Sequence, residues 1–214
     1  MDYEALYAHR FKDIDQVSRN NVWKIISQYI YKTADSPARV LDPACGIGEF
    51  INYCPAQEKW AADFGMDGSS LLDDVKFLSG SFLTLDFPDN YFNLIYLSNV
   101  LEHLDSQYAV NEFLLRAKEK LVAGGRLVIM GPNFKYCSSE YFDCADHTTI
   151  LTHISMEEHL VTAGFQVELN VARFIPYSFR SRLPAYGFTT KLYLKLRFLW
   201  PLLGKQFLLV GVKK

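Results

Sequence analysis

Apolar positions alternate between two periods along this chain. Ile14, Val17, Val22, Ile25, Ile26 and Tyr29 recur at helical spacing, which predicts an amphipathic helix over about 13–31. Ala38–Leu41 is a short apolar strand, followed by a glycine-bearing loop expected to open a second helix. Trp60–Phe64 and Val75–Leu78 are two further short strands. Phe92–Ser98 is nearly continuous in apolar residues, as in a parallel strand buried on both faces.

The pattern then returns to the helical period. Asp105 or Ser106 can cap a helix whose stripe is Val110, Phe113, Leu114, Ala117 and Leu121, ending at Gly124-Gly125. Arg126–Met130 follows as a strand. Ser155 and Glu158 fit a capping box, Gly164 ends that helix, and Phe165–Val171 alternates as a strand. Gln206–Val212 is the last of seven strands. Strands alternating with helices predict an α/β fold, a parallel sheet with helices on both faces. The expected organisation is one domain over residues 1–214. An aromatic and basic insertion over about 174–205 interrupts the alternation with Pro176, Pro184 and Pro201.

Composition narrows the function classes. Half of the 214 residues are apolar and the formal charge is −2, so the chain is globular and lacks the basic signature of a nucleic-acid binder. The opening residues lack the apolar stretch of a signal peptide, and no window is long enough to span a bilayer, so a cytoplasmic protein is expected. The four cysteines are sparse and are expected to be free thiols. Cys144, His147 and His153 form C-x2-H-x5-H, which lacks a paired zinc-finger spacing, so no metal site is expected.

The glycine loop carries the chemistry. Val40–Phe50 reads VLDPACGIGEF. A phosphate loop needs G-x-x-x-x-G-K-[ST], which is absent, and the dinucleotide fingerprint fails where Ile51 replaces its third glycine. What remains is D-x-x-x-G-x-G at a strand-to-helix turn, with Asp63 ending the next strand about twenty residues on, the separation of a ribose ligand. That combination suits an adenosine with a cationic tail and no phosphate.

VLDPACGIGEF, WAADF, LDFPDNYFNLIYLSNVLEHL and LVAGGRLVIMGPN together resemble the class I S-adenosylmethionine-dependent methyltransferases, in order over Arg39–Asn133. GEFIN, the Asp146-His147 pair, FIPYSFRSRLP, LYLKL and GKQF are similar to a bacterial subgroup often found among surface-polysaccharide genes. The resemblance implies a Rossmann-like, doubly wound, mostly parallel seven-stranded sheet with helices on both faces and an antiparallel last strand, with S-adenosylmethionine as cofactor and S-adenosylhomocysteine as product. It places Gly46 and Gly48 under the methionine portion with Asp42 ordering the loop, Asp63 on the ribose, Ser81 and Phe82 at the adenine, and Asn99 beside the methionine amine. Ala44 stands where the family has a first glycine, which is tolerable if its backbone is not at positive φ. Ser81 stands where an acidic residue often receives the adenine amine.

The expected acceptor is a small molecule or glycan, at a hydroxyl. A nucleic-acid acceptor is disfavoured by the charge and by the absence of an N-P-P-Y type motif; a non-catalytic cofactor-binding module is the alternative from another class. Proton removal from a hydroxyl is served by a histidine. His147 is the preferred base and His103 the second, each weighed against a purely structural role; His153 and His159 are expected to be structural or exposed. Tyr136, Tyr141 and Phe142 are either acceptor-pocket walls or core aromatics. The segment about 174–205 is a lid, a dimer contact or a peripheral membrane contact, and oligomeric state is not specified by these features.

Overall fold

A computed structural model describes residues 3–12, 15–176 and 186–214. The chain divides into two compact units, Met1–Leu85 with Ser178–Arg197, and Asp86–Tyr177 with Phe198–Lys214.

In the first unit, helix α1 (Tyr3–Phe11) precedes α2 (Gln16–Thr33). The single helix expected over 13–31 is α2, and α1 is an addition. Residues 13–14, inside the expected range, lie outside the described residues. Asp15 starts α2 by accepting the N–H groups of Val17 and Ser18, two of the donors a helix leaves unpaired at its start. Strands β1 (Arg39–Asp42), β2 (Glu58–Asp63) and β3 (Val75–Ser79) pair in parallel in the order β3-β2-β1. The expected helix after the glycine loop is only a 3-10 turn, Ile51–Tyr53. Cys54 is extended at φ −70° and ψ 123°, as Pro55 behind it demands, and this stops the helix after one turn.

The second unit pairs β4 (Phe92–Ser98) in parallel with β5 (Leu121–Pro132). Strand β7 (Gln206–Lys213) lies antiparallel between β5 and β6 (Phe165–Val171). The strand set is the expected Rossmann-like one, seven strands that are mostly parallel with the last reversed. Helix α3 (Gln107–Lys120) is capped by Ser106, not Asp105. It ends at Lys120, four residues before Gly124, because Leu121 already turns extended to open β5. After α4 (Phe134–Tyr141), helix α5 (His153–Thr162) has Thr152 as its cap and Ser155 as the reciprocal partner, so the expected Ser155–Glu158 box lies one turn too late.

The described part of the 174–205 segment contains α6 (Gly187–Lys195), which packs on α2, and α7 (Trp200–Leu203). Residues 177–185, the centre of that expected insertion, lie outside the described residues. No helix among the described residues is long and apolar enough to cross a membrane.

Candidate functional site

Strand β1 delivers Asp42 to its carboxyl end, and the chain there turns through Gly46 at φ +52° and Gly48 at φ +79°. The loop is tied down by its backbone. Cys45 N donates to Ala62 O at 3.0 Å, Gly48 N to Cys45 O at 2.8 Å, and Gly46 N to Asp63 Oδ2 at 2.8 Å. Asp63 Oδ1 also accepts from Gly65 N at 2.8 Å and Met66 N at 3.1 Å. Asp63 is thus the clasp between the loop and the end of β2, a duty the twenty-residue spacing did not reveal. Two oxygens offer about four acceptor positions, so lone-pair capacity for a hydroxyl remains.

The two glycines differ. A Cβ on Gly46 meets nothing within 4 Å, whereas one on Gly48 meets Leu71 and comes within 2.8 Å of Asn52 Nδ2. Gly46 therefore borders open space, and Gly48 sits against the protein's own side chains. Ala44 is not among the residues with positive φ, so its replacement of a glycine costs the loop nothing in backbone strain.

Asp42 is only 5% exposed, and burial, then the charges of Asp63 and Glu49, push its carboxyl up to about 8, against a smaller opposing effect from the Ala44 N–H. Burial raises Glu49 as well, although Arg19 on α2 forks onto it, with Nη2 2.8 Å from Oε2. Burial and the carboxylates Asp42 and Asp63 push the Cys45 thiol up, so it is no nucleophile. Carboxyl groups therefore crowd the glycine loop, a setting unfavourable to phosphate.

Asp42 keeps its proton to about pH 8 in the folded chain and loses it near its ordinary value of 3.8 when unfolded. Its contribution to stability is therefore complete below 3.8 and is lost as pH rises toward 8. Asp42→Asn, which mimics the protonated carboxyl, is expected to flatten that decline. Urea unfolding at about pH 5 and about pH 8 checks it: equal pH dependence in the two proteins would rule out a buried, protonated Asp42.

In the first unit Ser81 lies past β3, and its hydroxyl accepts from Leu83 N at 3.3 Å. The Phe82 side chain is buried. In the second unit Asn99 follows β4 in the left-handed region at φ +52°, uncommon for a residue other than glycine. Its N–H donates to Met130 O and its Nδ2 to Ser98 Oγ, while its buried Oδ1 accepts no hydrogen bond from the described residues. Asparagine tolerates this conformation better than most residues, and its Oδ1 keeps acceptor capacity.

A polar cluster follows in the same unit. A 3-10 turn, Leu101–His103, carries Glu102, which is 1% exposed, and His103. The loop after α4 is stitched onto this turn: Thr148 N and Thr149 N both donate to Glu102 O, at 2.9 and 3.0 Å. His103 Nδ1 lies 3.0 Å from Asp146 O and 3.4 Å from Asp146 Oδ2. His147 Nε2 lies 4.0 Å from Glu102 Oε1, and its ring meets those of His103 and Tyr141 edge-on at 4.9 and 4.8 Å. The two candidate bases are therefore neighbours, each beside a carboxylate. Glu102, absent from the expected site, belongs to this cluster; its signal was the Glu-His pair closing β4.

His153 lies elsewhere, with Nδ1 2.9 Å from Asn133 Nδ2 and its ring stacked on Tyr136. His159 Nε2 lies 2.7 Å from Gln107 Oε1. Tyr141 is core, its hydroxyl donating to Thr149 O at 2.7 Å, whereas Phe142 is exposed.

Residues 17–170 match a methyltransferase domain family. The chain belongs to that family. It is accordingly an enzyme, an S-adenosylmethionine-dependent methyltransferase. A search of curated proteins finds no match. Among solved structures, the methyltransferase resembles a SAM dependent methyltransferase from Archaeoglobus fulgidus, at 20% identity and TM-score 0.71, covering 99% of this chain and 100% of that one. An S-adenosylmethionine dependent methyltransferase from Mesorhizobium loti is 15% identical with TM-score 0.59, over 87% and 97% of the two chains. The N-methyltransferase NodS from Bradyrhizobium japonicum, solved with S-adenosyl-l-homocysteine, is 13% identical with TM-score 0.60, over 87% and 84%. At such identities the likeness establishes the shared fold.

Proposed function

We propose that this methyltransferase modifies a hydroxyl of a small-molecule or glycan acceptor, with His147 taking the acceptor's proton. The observation that carries this reading is the pairing of His103 with Asp146 and of buried His147 with Glu102. An amine that arrives neutral can be methylated without a base, whereas a hydroxyl gains from one. A neutral imidazole beside a carboxylate is well suited to hold that proton, since the carboxylate stabilises the imidazolium that forms. His103, anchored through Nδ1 to Asp146, acts as the positioning partner.

The glycine loop fits the cofactor. Gly46 leaves a cradle that a side chain would fill, and the Asp63 carboxylate bonded to its N–H favours a cationic tail. When bound, S-adenosylmethionine supplies an electrophilic methyl group on a sulfonium. In this reading Asp63 accepts ribose hydroxyls, Ser81 and Phe82 contribute at the adenine, and Gly48 supports the loop from beneath.

Cell extracts incubated with the enzyme and methyl-labelled S-adenosylmethionine, analysed by mass spectrometry, identify the acceptor. Labelled O-methyl product supports the proposal, and label appearing only on nitrogen overturns it. Asp63→Ala is expected to weaken cofactor binding by about 1.5–3 kcal/mol through loss of charge-assisted contacts. Calorimetric titration showing unchanged affinity would remove Asp63 from the cofactor site.

A further inference from the structure

The C-x2-H-x5-H spacing paired Cys144 and His147 with His153, yet His153 is bonded to Asn133 and takes no part in the polar cluster. Different partners replace it. One ligand atom from each of Glu102, His103 and His147 lies within 4.8 Å of the others, and the same holds for Cys144, Asp146 and His147. We propose that the second unit binds a zinc-class divalent cation through Glu102, His103 and His147.

The donor chemistry selects the ion. Two imidazoles and one carboxylate suit zinc and its neighbours, whereas calcium and magnesium demand oxygen ligands throughout. With bonds of about 2.0–2.1 Å, tetrahedral ligand atoms stand about 3.3 Å apart. His147 Nε2 and Glu102 Oε1 are already at 4.0 Å, so closure asks for side-chain rotation and no refolding of the backbone. The backbone is fixed in any case, since Thr148 and Thr149 hold the His147 loop to the Glu102 turn by hydrogen bonds.

Burial suits a bound ion. Glu102 is 1% exposed and His147 8%, so an ion held between them would be shielded from bulk water. Asp146 supplies the outer support that metal-binding histidines ordinarily have: its carbonyl and carboxylate face His103 Nδ1, which orients the ring and leaves Nε2 for an ion. Methyl transfer itself asks for no metal, so this inference does not rest on the acceptor assignment. The two uses exclude each other in time, because an ion on His147 takes the lone pair that would accept a proton. Bound zinc is then an inhibitor of a base-dependent transfer.

The test uses the full chain without a histidine tag, stripped by a chelator and titrated calorimetrically with Zn2+. One equivalent should bind at micromolar affinity or tighter, and His103→Ala and His147→Ala should each weaken it by about tenfold or more. Co2+ in place of Zn2+ should give the visible bands of a tetrahedral nitrogen–oxygen site without a thiolate charge-transfer band. Absence of saturable binding, or binding unchanged in His103→Ala, overturns the proposal. So does loss of binding in Cys144→Ser with a thiolate band, which assigns the ion to Cys144, Asp146 and His147. Circular dichroism of each variant guards against misfolding; should buried His147→Ala not fold, His103→Ala, whose side chain is 18% exposed, and the Co2+ spectrum decide alone.

Discussion

Gly46→Val is expected to abolish cofactor binding measurable by calorimetry, a fall in affinity of about a hundredfold or more. Two costs combine. Gly46 sits at φ +52°, where a β-branched residue is a genuine outlier costing about 1–3 kcal/mol. Its added carbon atoms would also occupy the open space in front of the loop, where no protein atom lies within 4 Å of a Cβ. Gly48→Ala makes the informative contrast. Its new methyl would strike Leu71 and Asn52, and Asn52 links the loop to Ser70 and Leu72. That variant should lose thermal stability first. Gly46→Val binding S-adenosylmethionine as well as the parent protein would place the cofactor elsewhere.

Most of the framework was legible because periodicity records burial. Phe92–Ser98 matches β4 residue for residue, since a run apolar on both sides has no other home than a sheet interior. The boundaries that slipped were decided by local competition. Leu121 fits the helical stripe of α3, but the sheet claims it as the first residue of β5. Thr152 outcompeted Ser155 for the cap of α5 because Ser155 is better used answering Thr152 from the third helical position. At the glycine loop, residue types and spacing pointed to a ligand class, and the structure added what they could not: Asp63 clasps the loop through Gly46 N. The Arg19–Glu49 fork was illegible, because partners thirty residues apart leave no periodic trace. The histidine cluster was half legible. Glu-His and Asp-His each appear as adjacent pairs, but the contacts that bring the two pairs together, such as the bonds from Thr148 and Thr149 to Glu102, leave no trace in the sequence.

His147→Ala is expected to lower kcat by about a hundredfold or more while cofactor affinity stays unchanged. The separation follows from the roles proposed: the cofactor is assigned to the glycine loop, whereas His147 is assigned to the acceptor, with Glu102, His103 and Tyr141 among its contacts. Removing a buried ring beside two others also leaves a cavity, so a lower melting temperature is expected and must be kept apart from lost chemistry. Assaying well below that temperature, with a chelator present to keep the imidazoles metal-free, does so. His103→Ala supplies the comparison. If His103 positions and His147 accepts, the His103 variant should lose less in kcat and retain the pH dependence of the parent, because the accepting nitrogen is still present. If the losses are reversed, His103 is the proton acceptor and Asp146 its orienting carboxylate. Normal turnover in both variants would mean that the acceptor reaches the enzyme already nucleophilic, and the hydroxyl assignment would fall with it.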